Sequence, residues 1–83
     1  MLTLRSVLPD VRNAKLSECA AAYQALTAVA EHLMEEAMKQ PALSEKRRWM
    51  YGIWNDVSIV RLQVEFLTAE ILEEQRQEME EDE

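Results

Sequence analysis

Residues 50–71, MYGIWNDVSIVRLQVEFLTAEI, decide the fold of this chain. Their apolar side chains recur in alternating steps of three and four residues, a spacing that places them along one side of an α-helix. The members of this seam are Met50, Ile53, Val57, Val60, Val64, Leu67 and Ile71. The pattern predicts a long second helix that runs from about Glu45 into the mid-seventies.

The preceding segment, residues 16–39, has the same rhythm and is rich in alanine, which favours helix. Its seam consists of Leu16, Cys19, Tyr23, Leu26, Ala30, Leu33 and Ala37. Gln40-Pro41 should end this helix, because a residue before proline avoids the α region. Ser44 is placed to cap the next one. Two long helices joined by so short a linker predict an antiparallel hairpin, and an all-α fold.

Composition restricts the class of protein. The 83 residues suffice for one small domain. A formal charge of −7 argues against direct nucleic-acid binding, which needs a basic face. One glycine and two prolines argue against an all-β protein, and a single cysteine excludes an internal disulfide. We find neither a signal peptide nor a membrane span in the sequence, so we expect a cytoplasmic protein without a membrane partner.

The two ends of the chain differ in character. Residues 1–12 form an N-terminal arm whose apolar side chains include Leu2, Leu4, Val7 and Leu8. This arm could pack on the body as a short strand or as a helical turn. Pro9 then interrupts the chain, and Asp10 or Asn13 could cap the first long helix. Residues 13–75 make up the hairpin domain. Residues 76–83 are predicted to be an acidic, disordered tail.

The second helix carries another apolar line on its opposite side, formed by Ile59, Leu62, Phe66 and Ala69. At 100° per residue this line lies about 160° around the helix from the first seam. A hairpin can bury only one side of each helix. Self-association into a four-helix bundle, the N-terminal arm or a different protein could cover the line. We expect a homodimer.

Charge placement agrees with an antiparallel dimer. Lys46, Arg47 and Arg48 begin the second helix, while Glu70, Glu73 and Glu74 lie near its other end. The helix dipole disfavours both placements in an isolated helix. Two antiparallel copies would bring each basic end to the partner's acidic end. Solvated charges without a designated partner are the alternative interpretation.

Residues 49–54, WMYGIW, combine aromatic side chains with neighbouring arginines, residue types that are common at binding hot spots. The stretch could be a docking patch, or its two tryptophans could close the open end of the hairpin core. With the apolar line, it gives our candidate partner-binding residues: Arg47, Arg48, Tyr51, Trp54, Ile59, Leu62 and Phe66.

We identify no catalytic constellation, metal site or cofactor site. His32 has no second histidine to help hold a metal, and Cys19 lies on the apolar seam, as a small buried hydrophobe would. The chain should therefore be no enzyme but a small acidic regulator or adaptor that binds another protein through its second helix. Two alternatives stay open. One is an inhibitor of the phage or mobile-element (anti-CRISPR-like) type that occupies a basic nucleic-acid-binding surface, and the other is a secretion-type chaperone.

Overall fold

The computed structural model describes residues 2–81, which form three helices. They are α1 (Leu4–Val7), α2 (Leu16–Met38) and α3 (Glu45–Glu81). No strand occurs within this part of the chain. The molecule measures 60 × 19 × 15 Å, and its long dimension is that of α3. The predicted all-α hairpin is confirmed.

Helices α2 and α3 pack along each other in opposite directions. Met38, at the end of α2, contacts Tyr51 near the start of α3. Tyr23 in the first half of α2 contacts Arg61 in the middle of α3. All fourteen seam side chains are buried or half-buried, as the spacing predicts. The fully buried centre of this core includes Cys19, Val60 and Val64.

The short linker between the helices is held by hydrogen bonds. The α2 helix ends at Met38, before Pro41. The hydroxyl of Ser44 accepts a hydrogen bond from the backbone N–H of Arg47 at 3.2 Å, so Ser44 caps α3 as predicted. The same hydroxyl donates to the carbonyl oxygen of Pro41 at 2.9 Å. The cap therefore also fixes the turn that reverses the chain.

The start of α2 differs from the prediction. Lys15 is the cap residue, and its backbone N–H donates to the Glu18 carboxylate at 3.1 Å. Neither Asp10 nor Asn13 caps the helix. Instead the Asn13 amide donates to the Asp10 carboxylate at 3.1 Å, which uses both side chains within the turn before the helix.

The N-terminal arm packs on the hairpin as a helical turn, the second of the two forms considered. Leu8 follows α1 and is buried in the common core. Leu2, Leu4 and Val7 pack against the same core and are half-buried. Burying these side chains attaches the arm to α3.

The far end of α3 also differs from the prediction. The helix continues to Glu81, so the predicted end in the mid-seventies is too early and residues 76–81 are helical. Arg76 forms ion pairs with Glu73 at 3.1 Å and with Glu80 at 3.9 Å. These pairs lie one turn apart and favour helix, as do the glutamates and glutamines themselves. Residues 82 and 83 of the predicted tail lie outside the described residues, as does Met1 of the arm.

Within residues 2–81, neither long helix contains an apolar stretch of the length needed to cross a membrane.

Candidate docking surface on the third helix

The second apolar line of α3 lies on the outer side of the hairpin. Ile59 and Leu62 are each 49% exposed, and Phe66 is 66% exposed. The buried seam, with Val57, Val60 and Val64, occupies the other side of the same turns. Because α2 covers only that buried side, the hairpin leaves a row of large apolar side chains in contact with water.

The N-terminal arm lies beside the apolar line and does not cover it. An open groove of about 820 Å³ lies between the arm and the side of α3 that carries Ile59, and Leu2 and Leu4 of the arm also line it. Leu62 and Phe66 do not line this groove. The arm therefore borders one end of the line and leaves the rest exposed.

At the start of α3, Arg47 and Tyr51 form a cluster with Met38 of α2. The Arg47 guanidinium donates to the Tyr51 hydroxyl at 3.0 and 3.1 Å and to the Met38 sulfur at 3.4 Å. Its carbon also lies 5.5 Å from the centroid of the Tyr51 ring. Both residues are half-buried. These two candidate residues are thus engaged within the chain, where they hold the ends of the two helices together.

The two tryptophans have different environments. Trp54 is half-buried and packs against the core, as the interpretation that it closes the hairpin requires. Trp49 is 64% exposed and closes nothing. Sequence reasoning omitted Trp49 from the candidate residues. The sequence does not separate the two tryptophans, because polar residues follow both in the heptad: Arg61 and Thr68 follow Trp54, and Asp56, Gln63 and Glu70 follow Trp49.

Gly52 lies on the same outer side as the apolar line. A Cβ atom added there would meet nothing within 4 Å, so no other segment of residues 2–81 approaches its backbone closely. Glycine in a helix interior costs about 1 kcal/mol relative to alanine. The packing within one chain does not explain that cost, and the exposed backbone leaves room for close approach by another molecule.

Opposite charges mark the two ends of the outer side. Arg48 is exposed near the start of α3, one turn before Gly52. Glu70, Glu73 and Glu74 are exposed near the other end of the line. The outer side of α3 thus has a basic end, an apolar middle and an acidic end. This chemistry suits the binding of another helix.

The single histidine and the single cysteine of the sequence lie in different environments. His32 lies on the solvent side of α2. Among the described residues, no three His, Cys, Asp or Glu side chains come together in a way that could hold a metal ion. Cys19 is buried in the core as expected.

Comparisons with protein families, with curated proteins and with solved structures found no match for this chain. We therefore infer function from the surface chemistry of α3.

Proposed function

We propose that this protein is a small regulator or adaptor, without catalytic activity of its own, that acts by docking α3 on another protein chain. The observation that carries the proposal is the exposure of Ile59, Leu62 and Phe66 on a helix whose opposite side is already buried. Contiguous apolar surface of this kind is typical of protein interaction sites.

Burial of the apolar line in an interface would be energetically favourable. Fully burying a side chain such as isoleucine, leucine or phenylalanine stabilises by roughly 1.5–3 kcal/mol. Three partly exposed side chains in one row could therefore contribute several kcal/mol to an interface. The row is straight and lies on a rigid helix, so a helix of the other chain can pack against it.

Exposure supports a division of the candidate residues into central and peripheral contacts. Ile59, Leu62 and Phe66 are the central contacts in the proposal, with Arg48 and the exposed Trp49 at one end. Arg47, Tyr51 and Trp54 remain candidates, but their contacts within the chain leave less of each side chain for a partner.

Site-specific photo-cross-linking in cells tests this proposal. A benzophenone amino acid replaces Phe66 in one variant. In the control it replaces Ala28, which is exposed on α2. We expect the Phe66 probe to join the chain covalently to a protein, either a second copy or a different one, and the Ala28 probe to yield little. Absence of any protein adduct at Phe66, or equal adducts at both positions, would contradict the proposal.

The acidic end of α3 favours a second candidate function. Glu73, Glu74, Glu78 and Glu80 are exposed on a helix that continues to Glu81, so their spacing is regular. An acidic helix of this kind could occupy a basic groove of a nucleic-acid-binding protein and inhibit it. Deleting residues 73–83 should abolish target binding under the inhibitor hypothesis. The same deletion should preserve cross-linking at Phe66 to a different protein under the adaptor hypothesis.

A further inference from the structure

We infer that the chain that covers the apolar line of α3 is a second copy of this protein, with the two α3 helices antiparallel. The inference rests on the proposed function, because it names the partner of the same surface. It also fixes which residues meet across the interface.

The outer side of α3 carries a second complete heptad seam. Eight positions follow one another in alternating steps of four and three residues, and all eight are exposed in the single chain. They are Arg48, Gly52, Asn55, Ile59, Leu62, Phe66, Ala69 and Glu73. This outer seam spans about 38 Å at 1.5 Å per residue.

The outer seam matches the same seam of a second copy that runs in the opposite direction. An antiparallel copy can be placed so that Ile59 faces the second copy's Leu62. Four kinds of layer then form along the interface, and they pair position 59 with 62, 55 with 66, 52 with 69, and 48 with 73. Every layer then joins an a position of one helix to a d position of the other, the arrangement that antiparallel heptad packing needs. The two-fold axis passes between Ile59 and Leu62, so each layer occurs twice.

The contents of the layers match in size. The two central layers each pair Ile59 of one copy with Leu62 of the other, so both contain two large aliphatic side chains. Phe66 lies beside the smaller Asn55, and Gly52 faces Ala69. The two small residues allow the backbones to approach closely, which gives a physical reason for a glycine in the middle of α3.

The charges match as well. Arg48 meets the second copy's Glu73 at both ends of the antiparallel pair. A parallel pair would place Arg48 against Arg48 and Glu73 against Glu73, so it is disfavoured at both ends. A different protein would have to supply this order of charge, small residues and large residues independently, whereas a second copy has it already. This complementarity is why we assign the line to a second copy.

The arm is compatible with this arrangement. It lies to one side of the outer seam, across a groove whose wall on α3 includes Asp56 and Gln63, and it leaves Leu62 exposed. In the dimer, the arm of each copy forms a side wall next to Ile59.

The mass of the purified full chain, measured by sedimentation equilibrium, tests the inference. We expect about twice 9.7 kDa. Leu62→Glu should reduce this mass to that of one chain, while Val29→Glu, at a similarly exposed apolar residue on α2, should leave the dimer intact. Circular dichroism checks that both variants remain helical.

A charge exchange tests the antiparallel register. Arg48→Glu alone and Glu73→Arg alone should each weaken the dimer about tenfold at low salt, because each places like charges together at both ends. The double variant should restore the affinity. The two positions lie about 38 Å apart along one helix, so a contact within the chain cannot produce the rescue.

The outcomes separate this inference from the proposed function. A parent chain that remains a single molecule while Phe66 cross-links to a different protein would overturn the second copy and leave the docking function standing. A dimer that Leu62→Glu does not dissociate, or that the double variant does not rescue, would also overturn the inference.

Discussion

The guanidinium carbon of Arg61 lies 5.8 Å from the centroid of the Tyr23 ring, across the interface between α2 and α3. Arg61 belongs to the same flank of α3 as Trp54 and Thr68, all of which are half-buried. The contact therefore lies on the flank toward which α2 is displaced, and it faces away from the apolar line.

This pair should contribute to the stability of the hairpin. A cation over an aromatic ring stabilises by about 0.5–1 kcal/mol at a partly exposed site. Arg61→Met keeps the aliphatic stem and removes the charge, so we expect the free energy of unfolding to fall by about that amount. Urea denaturation of Arg61→Met, Tyr23→Leu and the double variant, at one fixed protein concentration, measures the coupling. Strictly additive losses would show that the ring and the guanidinium do not interact.

The cap of α3 gives a second prediction. Ser44→Ala removes the acceptor for the Arg47 N–H and the donor to the Pro41 carbonyl. We expect the free energy of unfolding to fall by about 1 kcal/mol. Ser17→Ala is the matched control, because Ser17 is exposed in the first turn of α2 and is not its cap residue. Equal effects of the two substitutions in urea denaturation would contradict the role of Ser44.

The sequence predicts the hairpin well because the buried apolar positions repeat regularly along both helices. Residues such as Leu26 and Val60 recur every three or four positions, and that repeat identifies both helices and the sides that meet. The cap at Lys15 and the extension of α3 through Arg76 were missed for the opposite reason. The cap depends on one hydrogen bond from the Lys15 backbone N–H to the Glu18 carboxylate, and the extension is accompanied by ion pairs between exposed side chains. Neither kind of contact repeats along the sequence.

The candidate site was predictable to a similar extent and for similar reasons. The spacing of Ile59, Leu62 and Phe66 reveals a second apolar side, and the structure shows these residues exposed. The different burial of Trp49 and Trp54 depends on which flank of α3 faces α2, so it emerges only when the two helices are packed. The second chain that we propose over Leu62 is another molecule, and the periodicity of one helix carries no information about it.

Glu36 and Lys39 give a prediction about pH. The Lys39 ammonium donates to the Glu36 carboxylate at 3.0 Å, and this hydrogen bond holds the pKa of Glu36 below its usual value. A carboxylate whose pKa is lowered by folding stabilises the fold above its unfolded pKa, and this contribution is lost as the pH falls through the folded value. Lys39→Gln should therefore raise the pKa of Glu36, as followed by NMR titration of its carboxyl carbon.

Lys46→Gln is the control for this titration, because Lys46 acts on Glu36 only through a weaker, longer-range attraction. It should raise the pKa of Glu36 less than Lys39→Gln does. Lys39 is exposed and Glu36 is half-buried at the surface, so water screens the pair and we expect only a slight change in the free energy of unfolding. Equal pKa changes in the two variants would show that the hydrogen bond from Lys39 is not the main cause.

Gly52 links the stability of one chain to the interface. In a Leu62→Glu background, where self-association is removed, Gly52→Ala should raise the free energy of unfolding by up to about 1 kcal/mol, because the added methyl group meets open space and alanine favours helix. In the otherwise unchanged chain, the proposed dimer would place the same methyl group against the second copy's Ala69, so the substitution should raise the dissociation constant of the dimer. Urea denaturation measures the first effect and sedimentation equilibrium the second. A loss of stability in the single chain would mean that another part of the chain contacts Gly52, and an unchanged dissociation constant would remove Gly52 from the interface.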